Sequence, residues 1–411
     1  MNRDNESWSR RKFLKATSLA GMGSIFAVPS SVAYGYKKMT QSNLPNGTVP
    51  TRLFGKTGVQ VPMLGLGGSL NLVSRQSVLR YALKTGVTYW DTAESYSGGQ
   101  SEEGIGKYLS KYPGDRKKIF LVTKCDHNRP GSMTDSLGKS LNRMKTSYID
   151  LYFLHSISSA SELNEKVRGW VERAKGEGKI RFFGFSTHRN MEECMIEGAK
   201  LGWIDGIMMT YNHRLMHTDH MKEAVNACVN AGIGLTAMKT QGGWSWKSIW
   251  KDSKAARTMI QRFREKGFTE EQAKLKAVWE NPHIGSICSH MPSVKILMSN
   301  VAAALDTVKL SLEDTRLLDR YASETAPGYC AGCANICESA VDAKVPIGDI
   351  MRYLMYARSY GNPDLARSLF NGLPLDTRRL MTETDYTRAE GRCPQRMPIG
   401  RLMREAIVGL S

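Results

Sequence analysis

No stretch of this chain approaches 18 consecutive apolar residues, so nothing in it reads as a membrane-spanning helix. It also lacks a short arm dense in lysine and arginine, a helix-turn-helix pattern and any zinc-finger spacing. Those absences matter because 57 basic residues face 39 acidic ones, a formal net charge of +18. Such a surplus without a reading element argues against nucleic acid as the partner and for a basic surface that attracts anionic ligands. Cysteine is sparse, 8 in 411 residues, and half of it falls after Tyr321. The remainder is ordinary for a folded protein, 41% apolar and 23% charged, in a length that accommodates a barrel-sized domain and a smaller module.

The first 33 residues stand apart. "SRRKFLK" pairs Arg10 with Arg11 and continues through Phe13, Leu14 and Lys15. A short apolar stretch from Thr17 to Val28 follows, diluted by Gly, Ala and Ser, and then "SVA" at 31–33. This is the layout of a twin-arginine (Tat) export signal with an A-x-A-like cleavage site; the alternative is a basic, unstructured N-terminus. The expectation is passage through the Tat translocon to the periplasm or beyond the cell. The segment holds five basic and two acidic residues, so its removal takes the charge from +18 to +15. Tat carries proteins already folded, which suits a cofactor inserted in the cytoplasm. Residues 34–50 are polar and turn-rich, a linker.

From there apolar, β-branched and aromatic runs alternate with amphipathic stretches rich in Glu, Lys and Ala. Strands are expected at 62–67, 88–91, 119–124, 149–155, 180–186, 206–211, 232–238 and 285–290. Near-continuous apolar runs suit strands covered on both faces, hence a parallel sheet. Eight such units predict a closed (β/α)8 TIM barrel over 51–320, followed by a small, mainly helical, cysteine-containing module over 321–411. The long segment 242–283, which opens with Trp244, Trp246 and Trp250, is a candidate cover for the barrel mouth.

In such a barrel, polar residues at the C-terminal strand ends read as the active site. The second, third and fourth strands end in Asp91, Lys124 and His155, and "DTAESYSGGQSEEGIG" puts Tyr96 in the loop after Asp91. This set suits carbonyl reduction, in which oxygen gains negative charge and needs a proton donor. Free Tyr, with a pKa of about 10, holds its proton tightly. Lys124 is expected to lower that pKa, Asp91 to hold Lys124, and His155 to orient the carbonyl oxygen.

At these residues the chain resembles the aldo-keto reductase family, from Arg52 to about Ala303. "YWDTAESYSGGQSEEGIG" is similar to the family's D-T-A-x-x-Y-G-x-S-E signature, with Ser97 where Gly is usual, and "LVTK" and "DLYFLH" match its lysine and histidine segments. The resemblance implies a catalytic tetrad of Asp91, Tyr96, Lys124 and His155, and NADP or NAD as cofactor. It implies Ser186 on the nicotinamide carboxamide, with Thr187 replacing the usual Asn and Met208 the usual Gln. Tyr211 and Asn212 keep their family places, Met238 stands where an aromatic often stacks, and Lys239 with backbone amides of Gly242 and Gly243 faces the phosphates. Asn300 fits the adenine contact, while Ile296 falls where a basic residue would meet a 2′-phosphate, with His290 and Lys295 as substitutes. A small carbonyl or alcohol is the implied substrate. The alternative is a barrel that has lost turnover and serves as a binding or electron-carrier module, motivated by Thr187, Met208 and Ile296.

The tail reads "YCAGCANICESAV", with Cys330, Cys333 and Cys337, and later "GRCPQ" with Cys393. Two-cluster ferredoxins repeat C-x2-C-x2-C-x3-C-P, and three cysteines of one run join the C-P cysteine of the other on one cluster. Here the survivors are one such complete set, with one extra residue between Cys333 and Cys337. "KVPIGDIM" and "RMPIGRLM" are similar, as duplicated halves should be. One 4Fe–4S cluster on Cys330, Cys333, Cys337 and Cys393 is expected, serving a redox partner or stapling the tail; zinc and disulfides are the alternatives. Cys125, Cys194, Cys228 and Cys288 read as solitary and without function.

Overall fold

The computed structural model describes residues 47–241, 254–358 and 362–411. The export-signal segment, most of the linker, and the stretch with Trp244, Trp246, Trp250, Gly242 and Gly243 lie outside them. A hairpin of β1 (Thr51–Leu53) and β2 (Gln60–Pro62) precedes all eight expected strands. These are β3 (Leu64–Gly67), β4 (Tyr89–Asp91), β5 (Phe120–Cys125), β6 (Ile149–Ile157), β7 (Ile180–Thr187), β8 (Gly206–Thr210), β9 (Gly234–Met238) and β10 (Ile284–His290). They pair in parallel in chain order, and β10 closes on β3.

The shell helices among the described residues are α1 (Gln76–Lys84), α2 (Gln100–Lys111), α3 (Pro130–Met144), α4 (Glu165–Gly176), α5 (Met191–Lys200) and α6 (Asp219–Asn230). They continue with α7 (Lys254–Glu265), α8 (Glu270–Trp279), α9 (Val294–Leu305) and α10 (Leu312–Glu324). Their polar starts are capped locally: the Thr218 hydroxyl accepts from Met221 N, and Thr269 and Ser311 open capping boxes. Met259 and Phe263 of α7 pack with Leu317 and Leu318 of α10 in a side cluster.

Strand side chains alternate between two cores. Outward residues such as Trp90, Tyr152, Phe183 and Met209 pack under the helices, while Tyr89, Val122, Phe153 and Met208 fill the barrel. The hairpin places Phe54 in the inner core as a plug, its ring 5.9 Å from Phe120 and 6.4 Å from Tyr89. Gly234 makes room for it, since a Cβ there would come within 2.4 Å of the Phe54 ring.

The C-terminal module comprises α11 (Ala334–Glu338), α12 (Ile347–Arg358), α13 (Pro363–Asn371), α14 (Leu375–Glu383), α15 (Thr387–Arg392) and α16 (Ile399–Leu410). It has its own core, with Ile350, Leu354, Phe370, Leu402 and Met403, and forms one compact unit with the barrel. The duplication suspected from "PIG" is visible in the backbone. Helices α12 and α16 start and end 52 residues apart, at 347 and 399 and at 358 and 410. Each half repeats one bond: Glu338 accepts from Gly348 N at 3.1 Å, and Glu390 from Gly400 N at 2.8 Å. Among the described residues no helix is long and apolar enough to cross a membrane.

Candidate active site and thiol pocket

The inward parity of each strand, followed to its C-terminal end, builds the barrel mouth. Tyr89 leads to Asp91, Val122 to Lys124, Phe153 to His155, and Phe182 and Gly184 to Ser186. The Lys124 ammonium, fully buried, donates to Asp91 Oδ1 at 2.6 Å and to Thr92 O at 2.7 Å, and stands 4.8 Å from the centre of the Tyr96 ring. Burial alone would pull Lys124 down, but Asp91 and Tyr96 hold it above its ordinary value. The His155 ring meets Tyr96 edge-on at 5.7 Å. The four residues named from sequence therefore come together.

Two expectations about them need correction. Lys124 does pull the Tyr96 phenol down, but burial outweighs it and Asp91 adds to burial, so Tyr96 stands above its ordinary value. The phenol thus keeps its proton until a ligand rebalances the site. Cys288, read as solitary, reaches the mouth on β10, where its thiol shares electrostatic contact with Asp91, Lys124 and Tyr96 and is pushed well up by burial. Its parity along Ser286, Cys288 and His290 was the available signal.

Supporting residues were also missed. Asp126 Oδ1 accepts from His155 Nδ1 at 2.5 Å, which fixes the ring and leaves Nε2 for a ligand. That pairing holds Asp126 below the usual carboxylate range against the cost of its burial. Buried Glu102 accepts from Thr123 at 2.7 Å and from Arg143 at 3.1 Å, and Arg143 also donates to Glu94 O, bracing the loop that carries Tyr96. Ser97, in the family's usual glycine position, adopts φ +51°, a left-handed conformation that glycine takes freely.

The nucleotide side departs further from expectation. Ser186 Oγ accepts from Ser156 N at 2.9 Å, which leaves its own proton to donate. Thr187 has the opposite parity, and its hydroxyl donates to Ile157 O at 2.9 Å and Arg189 O at 3.0 Å. It shapes the loop and has no proton left for a carboxamide. Tyr211 follows inward Thr210 and points into the outer core, where its hydroxyl accepts from Asn281 at 2.8 Å. Met208 and Met238 give the mouth an apolar floor. Asn300 is buried in a closed set: it donates to Ser289 at 3.0 Å and accepts from Gln241 at 3.2 Å, while Ser289 donates to Gln241 at 2.8 Å. An adenine contact at Asn300 requires Gln241 to yield. Ile296 is exposed. Lys239, at φ +55°, lies at the mouth beside Cys330 of the module.

All eight cysteines are free, and Cys330, Cys333, Cys337 and Cys393 line one apolar pocket with Pro394, Met351 and Met397. Burial pushes Cys330 up to about 11 against the Gly332 backbone, Lys239 and Arg352, and burial with the neighbouring thiols adding to it pushes Cys333 and Cys337 up to about 12. The 52-residue repeat puts Val341 opposite Cys393, and Thr382, Asp385 and Ala389 opposite Cys330, Cys333 and Cys337. Among the described residues no three Cys, His, Asp or Glu side chains are grouped closely enough to hold a single metal ion.

The module docks on the loop after β7. Arg189 pairs with Glu338 and, at 3.2 Å, with Asp349. Asn190 donates from its backbone to Gly332 O at 2.8 Å and from its side chain to Asn335 at 2.8 Å, and Asn335 N donates back at 2.9 Å. Gly332, at φ +85°, has no room for a side chain, because a Cβ would lie 2.5 Å from His188 O.

A closed barrel of eight parallel strands ringed by helices, with its polar cluster at the C-terminal mouth, places the protein in the TIM-barrel class. The sequence model of the Aldo/keto reductase family matches residues 63–285, and the chain belongs to that family. An aldo-keto reductase of Schizosaccharomyces pombe whose name specifies NADP(+) is 33% identical over 34% of this chain, which spans about half, 46%, of that relative. L-galactose dehydrogenase of Arabidopsis thaliana is 23% identical, over 66% of this chain and 92% of its own length. An aldo/keto reductase from Klebsiella pneumoniae, solved with NADP and acetate, has a TM-score of 0.54 at 26% identity, over 66% of this chain and 95% of that one. A Bacillus halodurans aldo-keto reductase shares the fold, with a TM-score of 0.56 at 22% identity over 66% of this chain and 96% of its own.

Proposed function

We infer that this is an exported oxidoreductase that reduces a small carbonyl, or oxidises the corresponding alcohol, with NADP or NAD at the barrel mouth, and that it carries one 4Fe–4S cluster in its C-terminal module. The observation that carries the reading is the assembled tetrad, with Lys124 fixed between Asp91 and the Tyr96 ring. When bound, a reduced nicotinamide supplies hydride. The chain's own residues do the rest. Ser186 has a hydroxyl proton for the carboxamide, and Met208 and Met238 give the ring an apolar surface. Tyr96 gives its proton to the carbonyl oxygen, Lys124 stabilises the charge left on the phenol, and His155, steadied by Asp126, orients the same oxygen. The NADP of the S. pombe and K. pneumoniae relatives supports NADP here; the exposed Ile296 in place of a basic residue is neutral toward NAD.

Four free thiols lining one apolar pocket suit a soft metal site. The ferredoxin-like spacing of Cys330, Cys333 and Cys337, with Cys393 before Pro394, supports a 4Fe–4S cluster over zinc. A cluster would supply one-electron chemistry or a staple for the module. The paired Arg10 and Arg11 support Tat export in the folded state.

A second reading, a barrel that binds or carries electrons without turnover, is favoured by Met208 and by the closed Asn300–Ser289–Gln241 set. Anaerobic purification with iron, sulfide and zinc analysis, followed by a screen of aldehydes, ketones and sugars with NADPH and NADH, separates the two. Turnover with both iron and sulfide supports the first reading. Nucleotide binding without turnover supports the second, and a colourless protein ends the cluster.

A further inference from the structure

Cys330 belongs to two cavities. On one side it lines the thiol pocket with Cys333, Cys337 and Cys393. On the other it lines a cavity between the module and the barrel mouth. His188 enters that second cavity from the loop after β7, Lys239 from just past β9, and Arg352 from α12. Among the described residues the thiol pocket has no Lys, Arg or His on its walls, and the second cavity has no Asp or Glu. Arg352 gives one nitrogen to Asp349 at 2.7 Å, and the Nδ1 of His188 is buried without a hydrogen-bond partner among the described residues. Buried cations and donors are costly without an acceptor. The sulfur of Cys330 is the acceptor that the second cavity contains, and it gains negative charge when it ligates a metal centre. The loop that carries it is pinned to the barrel: Asn190 N donates to Gly332 O at 2.8 Å, and Gly332 lies too close to His188 O for a Cβ.

We propose that His188 and Lys239 of the barrel, with Arg352 of the module, are the polar surroundings of the cluster at Cys330 and raise its reduction potential above what the four thiols in their apolar pocket would set. Reduction adds one negative charge to a cluster and breaks no bond. Neighbouring cations and hydrogen-bond donors stabilise that added charge and shift the potential upward. The electrostatics agree. Burial pushes the Cys330 thiol up while the Gly332 backbone, Lys239 and Arg352 work against it. Burial and then Arg352 draw Lys239 down, and Cys330 opposes them. Each of the pair thus favours the charged form of the other. Surroundings of this kind suit a centre that exchanges electrons over one that only staples the module. The proposal rests on Cys330 being a cluster ligand.

The test is a redox titration of the full-length holoprotein under anaerobic conditions, with dithionite as reductant. The visible spectrum and the paramagnetic resonance of the reduced centre are followed, beside iron and sulfide analysis. At the wild-type midpoint the ratio of reduced to oxidised centre should fall about tenfold in Lys239→Gln, about 59 mV for one electron, and about threefold in His188→Leu. Lys239→Arg, which keeps the charge, should stay close to the wild type. Iron and sulfide at wild-type content with unmoved midpoints in both neutral variants overturn the proposal and leave the cluster standing. A wild type without iron and sulfide overturns both. If one variant loses its iron, the other decides. No turnover is needed, so the reductase reading is tested apart from this one.

Discussion

The tetrad and the thiol pocket are both built from buried ionisable groups, yet they are balanced in opposite ways. At the mouth Lys124 and Asp91 neutralise each other at 2.6 Å, and a backbone carbonyl takes a second ammonium proton. In the module four thiols line an apolar pocket that holds no Lys or Arg among the described residues, and Cys330 and Cys393 make Cys333 and Cys337 harder to ionise. The first site holds its geometry without help from a ligand. The second is the site at which the proposed soft metal centre would deprotonate all four thiols on binding.

The sharpest way to break this contrast is to unbalance each side in turn. Cys393→Ser should abolish bound iron and visible absorption and destabilise the module, while the barrel keeps its fold; calorimetric melting with iron analysis checks this. If Cys393→Ser retains full iron, the four thiols are not one site. Asp91→Asn should cost about 3–5 kcal/mol, because it strands a buried ammonium, and should leave iron content unchanged. Denaturant melts of the two proteins give that figure.

Smaller effects sharpen the boundary between the two regions. Arg189→Ala removes the clamp on Glu338 and Asp349 and should lower stability by about 1–3 kcal/mol. Protease nicking in the module should rise in step. Acid should act on the barrel side. Despite its burial, Asp314 in the first turn of α10 is held well below the usual carboxylate range by Lys266 and Arg262. A depressed carboxyl stabilises above its unfolded pKa and loses that contribution as pH falls through its folded one. Stability should therefore decline below about pH 4, and Asp314→Asn should flatten the decline while lowering stability at neutral pH. Melting temperatures across acid pH report both.

Much of this architecture was legible in the chain. All eight strands announced themselves as apolar runs, and Asp91, Lys124 and His155 stood at their ends. The two-residue pleat was the signal left unused. It sends Thr187 and Tyr211 away from the mouth and brings Cys288 to it. Counting alternate residues from the buried core would have shown all three. Asp126 and the Asn300–Ser289–Gln241 set had no such signal, because they depend on loops meeting across the barrel top. The same is true of the module's seat on the β7 loop. The duplication was legible from "PIG" alone, and the equal 52-residue offsets of α12 and α16 give it a backbone form.

The most direct test of the tetrad is one substitution. NADPH-dependent reduction of the best carbonyl in the screen, compared between the wild type and Tyr96→Phe, removes a single hydroxyl and nothing else from the mouth. The rate should fall by about 100-fold to 10,000-fold with melting temperature and visible spectrum unchanged. A Tyr96→Phe protein that reduces the carbonyl as fast as the wild type would contradict the assignment of Tyr96 as the proton donor.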